Sequence, residues 1–438
     1  MYGNTSNQTM FFWKLLRIFT LISVFCFLIS TLFISCKKTN SPKVNVVFLE
    51  PTPNSNSKFD DTLLVKGSIT SDQIIQSAIL QLTDNNFTPL CPAVSLPASG
   101  MSMISFANNY ILSNNYSPSG NYQLNVVVQC ENQTFNFYHP IFVTELPRTT
   151  KKILVASGSA SNYQLSVLNG SVLSILTSEA ISYVNLKANS RSQDIYMCAN
   201  EKIIAISAEN LVPKFTILPI AINANSFLNV DFSDYNLRVC RNDGNLISYN
   251  QFGSKQNETG ENLFIQPVQS LVYQNYQYAE IIKNNDHKIA TFFYPSGAAR
   301  QEYLIDFDII AFYPISSTEI LVLGNKNDHL LIYKYLTLSN GLQLLKDIPQ
   351  SFLYSIIKAN SSILLLSTIG ILDYDVTTNS IINRSNGIFY GGNYDEVNDI
   401  LYCFSGHNIK TLQGTSFAEL TTTISPDSLM GVDILYSK

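Results

Sequence analysis

Cys198, Cys240 and Cys403 each end a short apolar run, and His287, His329 and His407 each follow an Asn-Asp or Gly turn. Thiols and imidazoles are donors that zinc prefers, held about 2.0–2.3 Å from a common centre. Two pairs of acids, Asp373 with Asp375 and Asp395 with Glu396, have the residue types of a glycosidase, whose two carboxyls stand roughly 5–10 Å apart. The sequence contains no Gly-x-Ser-x-Gly elbow, no His-Glu-x-x-His zinc motif and no Walker loop. Whether any of these groups converge depends on the elements that carry them.

Those elements repeat. Runs of the same kind occupy 153–156, 195–198, 237–240, 278–281, 320–323, 363–366 and 400–403, with a period of about 42 residues. A period of about 40–45 residues holding several short strands marks a β-propeller. Each repeat adds a leading strand before that run, as in 182–187, 227–232 and 352–357. A third strand follows, as in 202–206, 244–249 and 330–335, and fourth strands such as 341–346 and 416–422 complete the unit. Turns rich in Asn, Asp and Gly suit the hairpins between them. The first repeat lacks a leading strand and the chain ends on one, 428–435. The two ends are therefore expected to join as a seventh blade in a domain over 151–438, a closure that removes exposed sheet edges.

A ring keeps the candidate groups apart. Equivalent positions are separated by the blade spacing, and Cys198 and Cys403 lie in repeats that are not neighbours. The three thiols therefore read as small packing groups inside the blades, where other repeats carry Ala, Ile or Leu. The histidines open third strands at places where Gly244 and Gly370 stand in other repeats, so they read as solvent-facing turn residues. The paired acids read as turn formers, as do Asn285-Asp286 and Asn327-Asp328. No catalytic residue, metal or cofactor is expected. The better ligand-facing candidates are aromatics near the starts of their blades: Tyr183, Phe227, Tyr273, Tyr354 and Tyr390. They are expected near the central channel or its mouth, the alternative being packing between blades.

Residues 44–147 alternate in strand fashion before the ring begins, and Pro147 marks the boundary. Within them Ser119-Gly-Asn-Tyr122 opens an alternating strand, and this resembles the tyrosine corner of immunoglobulin-like domains. The resemblance implies a β-sandwich in which the Tyr122 hydroxyl bonds back to nearby backbone. Leu124 stands where antibody domains carry their second cysteine. Cys91 and Cys130 are left either as a disulfide or as two partly buried thiols.

The N-terminus combines Lys14 and Arg17, an apolar run from Ile18 to Ile34, and Ser35-Cys36-Lys37-Lys38. Phe33-Ile34-Ser35-Cys36 resembles a bacterial lipobox, and the Cys-Lys-Lys start resembles lipoproteins of the Bacteroidetes. That resemblance implies a signal peptide over 1–35, lipidation of Cys36 and a tether over 36–43, with an uncleaved anchor or an ordinary secretory signal as alternatives. All three place the remainder outside the cytoplasm. In the propeller, 372–378 resembles the strand-and-turn of quinoprotein-like and YVTN-type repeats, and Gly391-Gly392 resembles a kelch glycine pair.

Charged residues make up only 13% of the chain and sum to −5, with no basic stripe, which excludes nucleic acid as the expected partner. The expectation is an all-β envelope lipoprotein, outer-membrane in address by its leader class alone, with an immunoglobulin-like sandwich followed by a seven-bladed propeller. It would bind a protein or glycan without catalysis. The alternative is a propeller lyase or hydrolase of polysaccharide with its site at the channel mouth.

Overall fold

The computed structural model describes residues 42–98, 100–114, 117–131, 133–159, 161–219, 227–233, 236–259, 266–359 and 362–438. The leader, Cys36 and all of the tether before Pro42 lie outside the described residues. The chain divides into two compact units, Met1–Leu146 and Pro147–Lys438.

The first unit holds strands β1 (Val44–Glu50), β2 (Asn56–Lys58), β3 (Thr62–Thr83), β4 (Val94–Leu96), β5 (Met101–Ile111), β6 (Gly120–Cys130) and β7 (Gln133–Thr144). The long β3 serves two sets of partners. Its first half pairs with β1 and β5, and its second half with β4 and β6. β7 continues from β6, and β2 lies parallel to β7. Alternation along β6 buries Tyr122, Leu124, Val126 and Val128 against Leu80, Leu82 and Ile69. The Tyr122 hydroxyl donates to the Pro118 carbonyl at 2.6 Å, tying the strand start to the turn before it.

Cys91 and Cys130 are free, buried thiols, so the bridged alternative is not the one present. Their places in the sheet explain why. Cys91 follows Leu90, whose amide bonds to the Leu82 carbonyl, whereas Cys130 stands opposite Ile75. Seven residues of strand separate those two points, roughly 23 Å, far beyond the span of a disulfide.

The second unit is a propeller of seven four-stranded antiparallel sheets. Its leading strands are Tyr183–Asn189, Phe227–Ser233, Gln266–Tyr273, Asp308–Ser316, Leu353–Ala359 and Gly391–Asp395 in blades 1 to 6, and Ser428–Tyr436 in the closing blade. Each leading strand packs against the next, and the last returns to the first. Ser428–Tyr436 pairs with Thr150–Ser159, so the closing blade is built from both ends of the unit, as the repeat pattern implies.

The cores lie between blades. Each of seven apolar clusters takes one face from each of two neighbouring blades, for example Tyr196 and Cys198 of blade 1 with Val230 and Val239 of blade 2. Ring closure is therefore also core closure, since no blade buries its faces alone.

Candidate functional site

Leading strands line the centre of the ring, and six of them carry an irregularity at the same place. The ladder shifts by one residue at Val184, Leu228, Val268, Ile310, Tyr354 and Met430. A bulge adds an unpaired residue and re-aims its side chain. Each of these six is partly accessible. In blade 6 the amide of Phe389 bonds to the Ser367 carbonyl, as Leu429 bonds to Gly406, which puts Tyr390 at the corresponding point. Seven apolar or aromatic side chains thus form a collar at one mouth of the channel.

Most of the collar is absorbed by packing. Val184, Leu228, Ile310 and Met430 lie against the clusters between blades. Tyr354 instead meets the ring of Tyr390 edge-on at 4.8 Å and that of Phe352 at 5.3 Å. Phe352 is 38% exposed and Tyr390 41%, with Ile369 and Ile388 also exposed nearby in sequence. Both rings are left partly open to water beside the contact between blades 5 and 6.

The five predicted aromatics therefore part company. Tyr354 and Tyr390 meet at the mouth. Tyr183 packs on the buried Tyr163 ring at 5.2 Å, its hydroxyl filling the space beside Gly431. Phe227 is fully buried in the core between blades 1 and 2. Tyr273 closes its leading strand instead of opening it, so it stands at the opposite end of the channel and packs against the core of blades 3 and 4. Phe352, missed from sequence, precedes its strand by one residue and is identifiable only by its exposure.

Deeper in the channel the leading strands bring charges together. Lys187 pairs with Asp231 at 3.1 Å and also feels the charge of Asp433 of the closing blade. Burial is the largest influence on Lys187 and pushes its pKa down, but Asp231 and Asp433 together hold it above the ordinary lysine range. Burial raises the Asp433 carboxyl, with Lys187 opposing. Asp433 accepts from Asn393 Nδ2 at 2.6 Å, from the Ala188 amide at 2.6 Å and from its neighbour Ile434 at 2.9 Å. One side chain thus joins blade 6, the closing blade and blade 1.

The paired acids have other tasks. Asp373 holds Arg384 at 2.7 Å, and Asp375 caps its turn by accepting from Thr377 and Thr378. Asp395 is fully buried and accepts from Thr150 and Asn398, while Glu396 pairs with Arg148. None of the four is left poised over the mouth.

The thiols lie in three separate cores, Cys198 between blades 1 and 2, Cys240 between 2 and 3, and Cys403 between 5 and 6. Burial pushes the Cys240 thiol up to about 12, leaving it inert. His329 bonds to Asp347 at 2.6 Å and His407 to the Ser425 carbonyl at 3.3 Å, each within its own blade. His287 differs. Its Nδ1 lies 2.9 Å from Glu280, a carboxylate only 1% exposed, and 3.6 Å from Asp308.

No protein-family profile matches the chain, and no curated protein sequence does. Solved structures similar in fold include a quinoprotein alcohol dehydrogenase-like protein from Bacteroides thetaiotaomicron, at 10% identity and TM-score 0.44 over 90% of this chain and 99% of that one. BamB from Moraxella catarrhalis aligns at 9% identity and TM-score 0.39 over 64% and 92%. A functionally unknown protein from Desulfotomaculum acetoxidans aligns at 12% identity and TM-score 0.48 over 65% and 99%. Its seven four-stranded sheets make the second unit a seven-bladed propeller, which resembles the quinoprotein-like and BamB structures, and no specific family is identified.

Proposed function

We propose that this protein is a non-catalytic binding module of the bacterial cell envelope that takes a glycan chain at the aromatic mouth of its propeller. The observation that carries this reading is the group of Phe352 and Tyr390, both exposed, and the partly exposed Tyr354 between them, at the starts of the channel-lining strands of blades 5 and 6. Aromatic faces stack on sugar rings, and the partly accessible amide side chains of Asn229 and Gln269 follow immediately after the bulges of the leading strands of blades 2 and 3. The structural duties of Asp373, Asp375, Asp395 and Glu396 favour binding over hydrolysis.

The remaining parts of the reading supply its address. Residues 1–35 act as a lipoprotein signal peptide, Cys36 carries the lipid, and 36–43 form the tether. Residues 44–147 act as an immunoglobulin-like spacer, a reading supported by the Tyr122–Pro118 bond and the parallel pairing of β2 with β7. Lipid anchoring is tested by incorporation of labelled palmitate, expected in the wild type and lost in Cys36→Ser.

Binding is tested by calorimetric titration of the purified protein with defined fragments of envelope polysaccharide. Saturable binding that Tyr390→Ala and Phe352→Ala both weaken supports the reading. Binding indifferent to both variants places the glycan elsewhere. Release of new reducing or unsaturated ends during the titration would make the propeller an enzyme. A ligand that proves to be an envelope protein would make the same mouth a docking site.

A further inference from the structure

Glu280 occupies a place that the fold otherwise fills with apolar groups. In the ladder it stands opposite Gln269, immediately after the bulge of its leading strand. The same level holds Cys198, Cys240, Leu323 and Leu366 in blades 1, 2, 4 and 5, and Ala156 in the closing blade. All five are at most 2% exposed and pack towards the following blade. A carboxylate with 1% exposure at that level carries a desolvation cost that its five counterparts avoid.

Joining neighbouring blades does not require it. Between blades 4 and 5 that task falls to a neutral amide: Asn325 accepts from the Leu353 amide and donates to the Leu353 carbonyl, both at 2.8 Å. Glu280 reaches the equivalent amide, that of Ile309, with Oε2 at 3.2 Å and turns Oε1 to His287. The imidazole comes across the hairpin from the third strand of blade 3, and Asp308 comes from the start of the leading strand of blade 4. The donor atoms of Glu280, His287 and Asp308 all lie within 4.8 Å of one another.

We propose that Glu280, His287 and Asp308 form a binding site for a divalent first-row transition cation such as zinc, set between blades 3 and 4 at the rim of the collared mouth. Donors placed tetrahedrally at about 2.1 Å from an ion stand about 3.4 Å apart. The His287–Glu280 and His287–Asp308 separations of 2.9 and 3.6 Å bracket that value. One imidazole and two carboxylates match the N and O donors of zinc and manganese, and their two negative charges balance the ion. The Ile309 amide on the second oxygen of Glu280 is the kind of outer partner that orients a ligand. Asp308 is 73% exposed at its side chain, so the ion keeps a face open to water at the mouth.

The test is calorimetric titration of the full chain, purified in detergent and stripped with chelator, with Zn²⁺, Co²⁺ and Mn²⁺ in turn. One saturable site per chain is expected for at least one of them. His287→Asn and Glu280→Gln should each weaken it at least about tenfold without changing the circular dichroism. Glu280→Leu, which restores the apolar residue found in blades 4 and 5, should fold and lose the site altogether. For bound Co²⁺, the visible absorption should change in His287→Asn. Failure of all three ions to bind with one-to-one stoichiometry overturns the proposal, as does equal affinity in Glu280→Leu. Loss of glycan binding with this site intact would count against the proposed function alone.

Discussion

Two of the seams that hold a carboxylate between blades treat it in opposite ways. At the closing seam Asp433 accepts hydrogen bonds from both neighbouring blades and from its own backbone, with Lys187 close by. Between blades 3 and 4 Glu280 has one backbone amide and an imidazole, with a second, exposed carboxylate at the opening. The first arrangement is complete and holds the circle shut. The second uses charge where Asn325, one seam further on, manages with a neutral amide. A buried polar group that is fully satisfied is a structural device, whereas one with spare valence facing water is a candidate for ligation.

The comparison can be broken at its strong end first. Removing residues 427–438 takes away the leading strand of the closing blade and strips one face from two cores. Loss of cooperative thermal unfolding of the propeller is expected, and an unchanged melt would show that closure contributes nothing. Next in size is Asp433→Ala, which strands Asn393 and the Ala188 amide and removes one of the two acids beside Lys187. A loss of about 3 kcal/mol is expected in denaturant titration.

Glu280→Leu sharpens the contrast, because its effect in metal-free buffer should stay within about 1 kcal/mol of wild type. Equal damage from Asp433→Ala and Glu280→Leu would mean that both carboxylates are clasps. Tyr390→Ala should cost no more than about 1 kcal/mol, since its ring is partly open to water and keeps an edge contact with Tyr354, while ligand affinity falls.

The smallest effect concerns His329, whose hydrogen bond to Asp347 holds its pKa above the ordinary histidine value. Because the folded pKa is raised, the contribution of the pair is present in acid and fades as pH rises through the folded value. Proton NMR should show His329 titrating above ordinary histidines, and Asp347→Asn should bring it down.

The blades were legible because each repeats one pattern of apolar runs and polar turns, and the terminal strands were legible because a repeat was split between the ends. Residue-level registration was not. Aligning repeats by the ends of their second strands puts Ile281 level with Cys240 and Cys403 level with Cys198. In the ladder Glu280 takes that place, and Cys403 packs towards the preceding blade instead of the following one. A slip of one residue turns a strand side chain to the opposite face, which is why the misplaced carboxylate stayed hidden in an apolar column. The bulges were equally invisible, since one extra residue in a leading strand leaves the period near 42.

Local composition and periodicity were enough to specify seven sheets, their strand order and the closure of the ring, because each blade needs neighbours to bury both faces. The resemblance to a tyrosine corner also anticipated the backbone bond of the Tyr122 hydroxyl, whose partner Pro118 lies only four residues away. The meeting of Tyr354 with Tyr390, and of Glu280 and His287 with Asp308, was decided only by tertiary structure. Those contacts join strands of different blades, and their geometry depends on ladder register and on how each bulge turns its side chain. Neither quantity is written in the spacing of residues along the chain.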